Sequence, residues 1–73
     1  MRLDYLRYFN HLAKVLNFTK AAEDLFVAQP TLSVAIKRME QELGVKLFKR
    51  GKGSSRIELT ESGEAYFEYV SLA

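Results

Sequence analysis

The sequence predicts a mainly α domain: a three-helix core, a short β-hairpin wing, then the start of a C-terminal helix. Three observations carry that prediction. Apolar residues recur at helical spacing in three separate stretches between residues 4 and 43. The segment between the second and third of these, Phe26-Val27-Ala28, has room only for a turn. A glycine- and serine-rich stretch, GKGSS at 51–55, then divides two short runs with weak strand-like alternation. Helix, turn, helix and basic hairpin, in that order, make a winged helix-turn-helix.

Each element has local reasons. Leu6, Phe9, Leu12, Ala13 and Leu16 place a first helix over about Asp4 to Leu16. Asn17 suits its stop, because asparagine tolerates the left-handed conformation. Thr19 is a good N-cap for a second helix, with Ala21, Ala22 and Leu25 facing inward. The two adjacent alanines let another helix approach closely, or simply favour helix. Pro30 fits the first turn of a third helix, where a missing N–H costs nothing. Leu32, Ile36, Met39 and Leu43 form its apolar stripe, and Gly44 closes it. Val45 to Lys49 reads as one strand and Arg56 to Leu59 as its return, with Ile57 and Leu59 packed inward. Thr60 caps a fourth helix running to about Leu72, and Glu61 and Glu64 sit in its first turn, where the helix dipole favours anions. Residues 1–60 therefore read as the winged helix-turn-helix domain, and 61–73 as a further helix following it.

Length and composition bound the rest. A chain of 73 residues buries only about 60% of the surface its unfolded form exposes, so its core is marginal. With no cysteine and one histidine, disulfide and thiolate–zinc staples are excluded and a metal site is not expected. A partner chain is left as the staple. The N-terminus, MRLDYLRYF, lacks the apolar run of a signal peptide. No stretch approaches the ~18 apolar residues of a membrane span. Absence of cysteine fits a reducing cytoplasm.

Charge is unevenly placed. Residues 31–60 carry seven basic and three acidic side chains, whereas 61–73 carry three acidic and no basic ones. Lys46, Lys49, Arg50, Lys52 and Arg56 follow one another with no anion between them. A basic block in a loop beside an acidic helix points to a localised polyanion contact.

A helix enters the major groove only if one face packs on the protein and the other offers small polar or basic groups. The third helix meets this condition. Gln29 stands at its N-terminal tip, the end from which recognition helices contact base edges, and glutamine can pair bidentately with adenine. Pro30, Thr31, Ser33, Val34, Lys37 and Arg38 follow on or beside the outer face. Val34 either meets a thymine methyl or is an ordinary surface valine. Lys37 and Arg38 read as phosphate clamps or guanine readers, against the plainer alternative of a solvated helix face. In the hairpin, Lys49, Arg50, Lys52 and Arg56 flank or occupy the turn, with Arg50 and Lys52 the stronger candidates for the flanking backbone or minor groove. Thr19 and Lys20 are weaker candidates for a phosphate at a helix N-terminus, since Thr19 can equally be only a cap.

From about Leu6 to Gly63 the chain resembles the DNA-binding domain of LysR-type transcriptional regulators. The matching stretches are FTKAAEDLFVAQPTLS (Phe18–Ser33), MEQELGVKLFKR (Met39–Arg50) and LTESG (Leu59–Gly63). The resemblance implies a bacterial, cytoplasmic, nucleoid-associated regulator. It implies a homodimer, or a tetramer in the full-length parent, placing paired winged helices on an interrupted inverted repeat of double-stranded DNA. It also implies that Gln29, Pro30, Thr31, Ser33 and Val34 approach bases and backbone, and that Arg50 and the hairpin approach the flanking groove. Phe18, Ala22, Leu25, Leu32, Ile36, Leu43, Leu47 and Phe48 would be core. Three features depart from the family pattern: Ala28 stands where serine is frequent, Val34 where a polar or basic residue is frequent, and the wing is about two residues longer. Family members continue into a long linker helix and an effector-binding domain, so a piece of a longer protein is expected, with any small-molecule effector bound elsewhere. Tyr66, Tyr69 and Val70, at i, i+3 and i+4, would dock on the first helix or pair with another chain's helix; dimer contact is the favoured use.

Other classes fit less well. No nucleophile elbow or phosphate-cradling loop is present, and GKGSS lacks the spacing and context of a P-loop. His11 has no partner by spacing and is expected to face solvent. Glu40 and Glu42 point in different directions and read as helix surface and ion-pair partners. No enzyme activity and no cofactor are expected. A winged-helix module that binds protein is the serious alternative, but its third helix should show an apolar or acidic face. A basic amphipathic membrane binder would carry its cations along a helix, not in a Gly/Ser turn.

Overall fold

Three short helices packed on one another form the frame of the domain. A computed structural model describes residues 3–51 and 56–72. The element order is α1 (Leu3–Val15), α2 (Phe18–Leu25), α3 (Gln29–Leu43), β1 (Phe48–Arg50), β2 (Ile57–Leu59) and α4 (Glu61–Leu72). Lys52 and most of the expected hairpin turn, 52–55, lie outside the described residues.

Helices α1, α2 and α3 pack on one another around Phe9, Leu12, Ala13, Ala21, Ala22, Leu32, Ile36, Met39 and Leu47, all buried. Ala21 and Ala22 are both in this core, so the alanine pair serves close helix approach. Phe9 is the hub of the aromatic contacts. Its ring meets Phe48 of β1 at 5.5 Å, Tyr66 of α4 at 5.2 Å and Phe67 of α4 at 6.3 Å between centroids. Tilted and edge-on arrangements of this kind add about 0.5–1.5 kcal/mol per pair beyond area burial.

The helix boundaries differ from the expected ones in instructive ways. The first helix stops at Val15, and the left-handed residue after it is Leu16 (φ 56°), not Asn17. Asn17 is extended and caps α2: its side-chain oxygen accepts the Lys20 N–H at 2.9 Å. Thr19 therefore lies inside the first turn and is not the cap. Phe18 opens the helix, with its ring 6.5 Å from that of Phe48 between centroids. At the end of α2, Phe26 adopts the left-handed conformation (φ 59°) while 95% exposed. The N–H of Val27 returns to the Ala22 carbonyl, completing a Schellman-type closure on a residue other than glycine. Ala28 precedes α3 and makes no side-chain cap bond. Gly44 closes α3 in the left-handed region, as its position predicts.

The expected strand Val45–Lys49 shifts to Phe48–Arg50, because Lys46 and Leu47 are held by other partners. β1 and β2 pair antiparallel, with Phe48 opposite Leu59, Lys49 opposite Glu58 and Arg50 opposite Ile57. The second strand also touches the α1–α2 junction: Asn17 and Arg56 form a β-bridge, and the Ile57 N–H donates to the Leu16 carbonyl. That contact holds Leu16 in its unusual conformation.

Thr60 caps α4 as expected, accepting the Gly63 N–H. Its hydroxyl donates to the Lys46 carbonyl, and its own N–H donates to the Leu47 carbonyl. The first turn of α4 thus lies against residues 46–47. A β-carbon at Gly63 would overlap the Leu47 carbonyl oxygen, so only glycine permits this approach. Leu43, expected in the core, is exposed instead. It stands on the last turn of α3. There it lines a shallow apolar groove with Val45, Leu47, Tyr66 and Tyr69.

Candidate nucleic-acid interface

Helix α3 is two-faced. Leu32, Ala35, Ile36 and Met39 are buried, while Gln29, Pro30, Thr31, Val34, Lys37 and Arg38 are exposed and Ser33 is half-buried. At the N-terminal tip the Gln29 Nε2–H donates to Ser33 Oγ at 2.9 Å, one turn along. This bond orients the amide and leaves its second N–H and its carbonyl to other partners.

The exposed face lies between two grooves. On one side a groove of about 500 Å³ separates α3 from the hairpin. Gln29, Ser33 and Lys37 border it from α3, Thr19 from α2, and Lys46, Lys49, Arg50 and Arg56 from the hairpin side. The five cations of this group are all exposed. On the other side a groove runs between α3 and α1, where Thr31, Val34 and Arg38 face Tyr5 and Tyr8. Val34, 51% exposed, belongs to this second groove. Of the recognition-helix set, Gln29, Ser33 and Lys37 are thus brought together with the wing residues Lys49, Arg50 and Arg56 along one groove, whereas Pro30, Thr31, Val34 and Arg38 line the other. Lys52 is outside the described residues.

Two expected site features change. The Lys20 N–H is already taken by Asn17, and its ammonium lies 3.6 Å from Asp24. A phosphate at this helix end is thus not met by the Lys20 amide. His11 is not alone: its Nε2 lies 2.8 Å from Asp24 Oδ2, across from α1 to α2. This hydrogen bond, and behind it the charge of Lys20, holds the Asp24 carboxyl below its ordinary value, against a partial desolvation that acts the other way.

The Tyr66, Tyr69, Val70 stripe divides. Tyr66 is half-buried on Phe9, Val70 is half-buried, and Tyr69 is 71% exposed beside the Leu43–Val45 groove. Burial pushes the Tyr66 phenol up, with Tyr69 and Glu42 adding to it. Among the described residues no His, Asp and Glu side chains gather into a group that could hold a metal. No helix among them is long and apolar enough to cross a membrane.

Residues 3–64 match the model of the bacterial regulatory helix-turn-helix proteins of the lysR family. The chain belongs to that family. Relatives of this lysR-family domain are transcriptional regulators, not enzymes. The HTH-type transcriptional regulator BudR of Klebsiella aerogenes is 50% identical over 68 residues, covering 93% of this chain and 46% of that protein. CitR of Bacillus subtilis (strain 168) is 48% identical over 70 residues, covering 96% of this chain and 23% of that protein. The chain thus spans less than half the length of these curated relatives. Among solved structures, the BenM_DBD/catB site 1 DNA complex superposes with a TM-score of 0.88 at 40% identity, covering 99% of this chain and 75% of that one.

Some neighbours of the lysR-family surface carry no signal in the sequence. Tyr5 and Tyr8 enter the α1-side groove only because α1 crosses α3 there. Lys46 was visible as part of the basic block but not as a border of the reading face. Glu40, read as surface, turns inward to the hairpin; the spacing of seven to its partner has no helical meaning.

Proposed function

We propose that this chain binds double-stranded DNA in a sequence-specific manner for transcription regulation. Helix α3 lies in the major groove and the hairpin lies on the flanking backbone or minor groove. The observation that carries this reading is the shared groove: Gln29, Ser33 and Lys37 of α3 border it together with the exposed cations Lys46, Lys49, Arg50 and Arg56, and Thr31 and Arg38 stand exposed on the same helix. In such a surface the base contacts specify and the phosphate contacts position. A protein-binding winged helix would instead need an apolar or acidic face on α3.

Within this reading Gln29, held by Ser33, addresses a base edge from the helix tip, and Pro30, Thr31 and Val34 lie against the same groove. Lys37, Arg38, Lys49, Arg50, Lys52 and Arg56 neutralise phosphates or read guanine. Thr19 borders the backbone; Lys20 contributes only its side chain. Residues 61–73 begin the linker helix. Two copies pair through α4 and the apolar groove with Tyr69 exposed beside it, and together read an interrupted inverted repeat. A small-molecule effector, and a step from dimer to tetramer, belong to regions beyond residues 1–73. A nucleoid-associated, cytoplasmic location follows from the same reading.

The test is a fluorescence-anisotropy titration against a randomised duplex pool at two salt concentrations, with the bound fraction sequenced. Salt-sensitive binding with an enriched half-site is expected. Gln29→Ala should relax preference at one base position, costing about 1–3 kcal/mol there. Arg50→Ala should weaken all duplexes alike and flatten the slope of log K against log salt by about one unit. No binding at low salt would remove the DNA reading and favour a protein partner.

A further inference from the structure

Glu40 is out of place on a surface built for a polyanion. It borders the same groove as Lys37, Lys46, Lys49, Arg50 and Arg56, and an anion there opposes phosphate. Its side chain is nonetheless only 13% exposed. The reason lies in its partners. Its Oε2 accepts the backbone N–H of Leu47 at 2.7 Å and that of Phe48 at 3.3 Å. The other oxygen lies 3.9 Å from the Lys46 ammonium. The carboxylate thereby fastens α3 to the residue that opens β1.

The same segment is fastened from the opposite side. Thr60 donates its hydroxyl to the Lys46 carbonyl and its N–H to the Leu47 carbonyl. Residues 46–48 are therefore clamped between α3 and the first turn of α4. β1 has only three residues, and Arg50 is its last. Two residues of strand carry Arg50 about 6.6 Å beyond Phe48, so a tilt at Phe48 displaces Arg50.

We propose that Glu40 is a positioning residue: through the Leu47 and Phe48 amides it sets the hairpin relative to α3, so that both meet one duplex in register. This rests on the DNA-binding reading. Charge alone gives the opposite sign to positioning. Deleting an anion from a cationic groove should tighten binding, whereas loosening the hairpin should weaken it and remove phosphate contacts.

The experiment compares Glu40→Ala, Glu40→Gln and Glu40→Asp in this chain by amide hydrogen exchange and by anisotropy titration over a salt series. Glu40→Ala should speed exchange at Leu47 and Phe48 at least tenfold relative to the Met39 amide in α3. It should weaken binding to every duplex about tenfold, flatten the salt slope by one to two units, and leave the base preference of α3 intact. Glu40→Gln, which keeps an acceptor oxygen, should restore most of the slope. Adding Arg50→Ala to Glu40→Ala should flatten the slope no further, because contacts acting through one element are not additive. Glu40→Asp keeps the charge and loses the reach, so it should behave like Glu40→Ala; it decides the matter if the alanine variant does not fold. Tighter binding, an unchanged slope, or unchanged exchange at Leu47 and Phe48 would overturn the proposal. If the unaltered chain binds no duplex, the DNA reading falls, and the exchange data still decide whether Glu40 holds the hairpin.

Discussion

Helix α3 and the hairpin border one groove but are held there by different forces. Four of the fifteen residues of α3 are buried in the three-helix core, and its position follows from apolar packing. The hairpin has two strands of three residues whose inward side chains, Phe48, Ile57 and Leu59, are only half-buried. These pack on the rim of the core, and a few polar ties complete the hold: Glu40 to Leu47 and Phe48, Thr60 to Lys46 and Leu47, and the bridge from Asn17 to Arg56. Packing is non-directional and redundant, so losing one apolar contact weakens the whole domain. Directional bonds are few, so losing one moves a part.

The largest effect should come from cutting the packed half. Leu32 is fully buried at the centre of α3. Leu32→Ala should cost about 2–5 kcal/mol, a large share of the roughly 4–11 kcal/mol expected for a domain of this size. Urea unfolding followed by circular dichroism should show one transition at lower midpoint, with α3 and the hairpin lost together. Loss of the hairpin alone would contradict the comparison.

Gly63→Ala acts on the tied half. Its β-carbon meets the Leu47 backbone, which cannot rotate away like a flexible side chain. The expected cost is about 1–3 kcal/mol, in the range of overpacking. The change should be local: shifted amide resonances at residues 46–48 and in the first turn of α4, with those of α1 and α2 little moved. Uniform shifts throughout would mean that the hairpin is part of one packed unit after all.

The same contrast decides what the sequence reveals. Packing leaves a periodic trace, so α1, α3 and α4 were legible to within a residue or two, and Leu32, Ile36 and Met39 could be assigned to the core. Even there the trace runs past its cause: Leu43 continues the stripe of α3 but lines an open groove outside the core. Ties leave no period. Glu40 reaches seven and eight residues ahead, and His11 finds Asp24 thirteen residues on. Both pairings exist only once the helices have crossed. Local chemistry misled where two residues fit one role. Asn17 and Thr19 are both good caps; Asn17 is the one used, and Phe18, next to it, turns its ring toward Phe48. A left-handed Leu16 is unfavourable by itself and follows from its bond to Ile57.

Asn17→Ala sits at the border between the halves. It removes the acceptor for the Lys20 N–H, and loss of an N-cap costs about 1 kcal/mol. The backbone bridge to Arg56 does not use the side chain, so the hairpin should stay in place. Thermal unfolding should shift down by several degrees, while exchange at Ile57 relative to the core stays as before. Faster relative exchange at Ile57 would show that the cap and the hairpin are one device.

The smallest effect should come from a polar tie within the packed half, where packing is sufficient without it. His11 and Asp24 join α1 to α2 at the surface, each about one-third exposed. The hydrogen bond from His11 holds the Asp24 carboxyl below its ordinary value. A carboxyl depressed in the folded state stabilises above its unfolded value, and that contribution is lost as pH falls through the folded value. Stability should therefore decline slightly more on acidification in the unaltered chain than in Asp24→Asn, and the two curves should converge in acid below the folded Asp24 value. Both partners are exposed enough for water and salt to screen them, so the difference should be small at physiological salt and shrink further at high salt. Urea midpoints measured from pH 7 down to pH 3 would check this. A large gap at pH 7 would show that the helix half, too, depends on its ties, and the contrast between packed core and tied wing would have to be withdrawn.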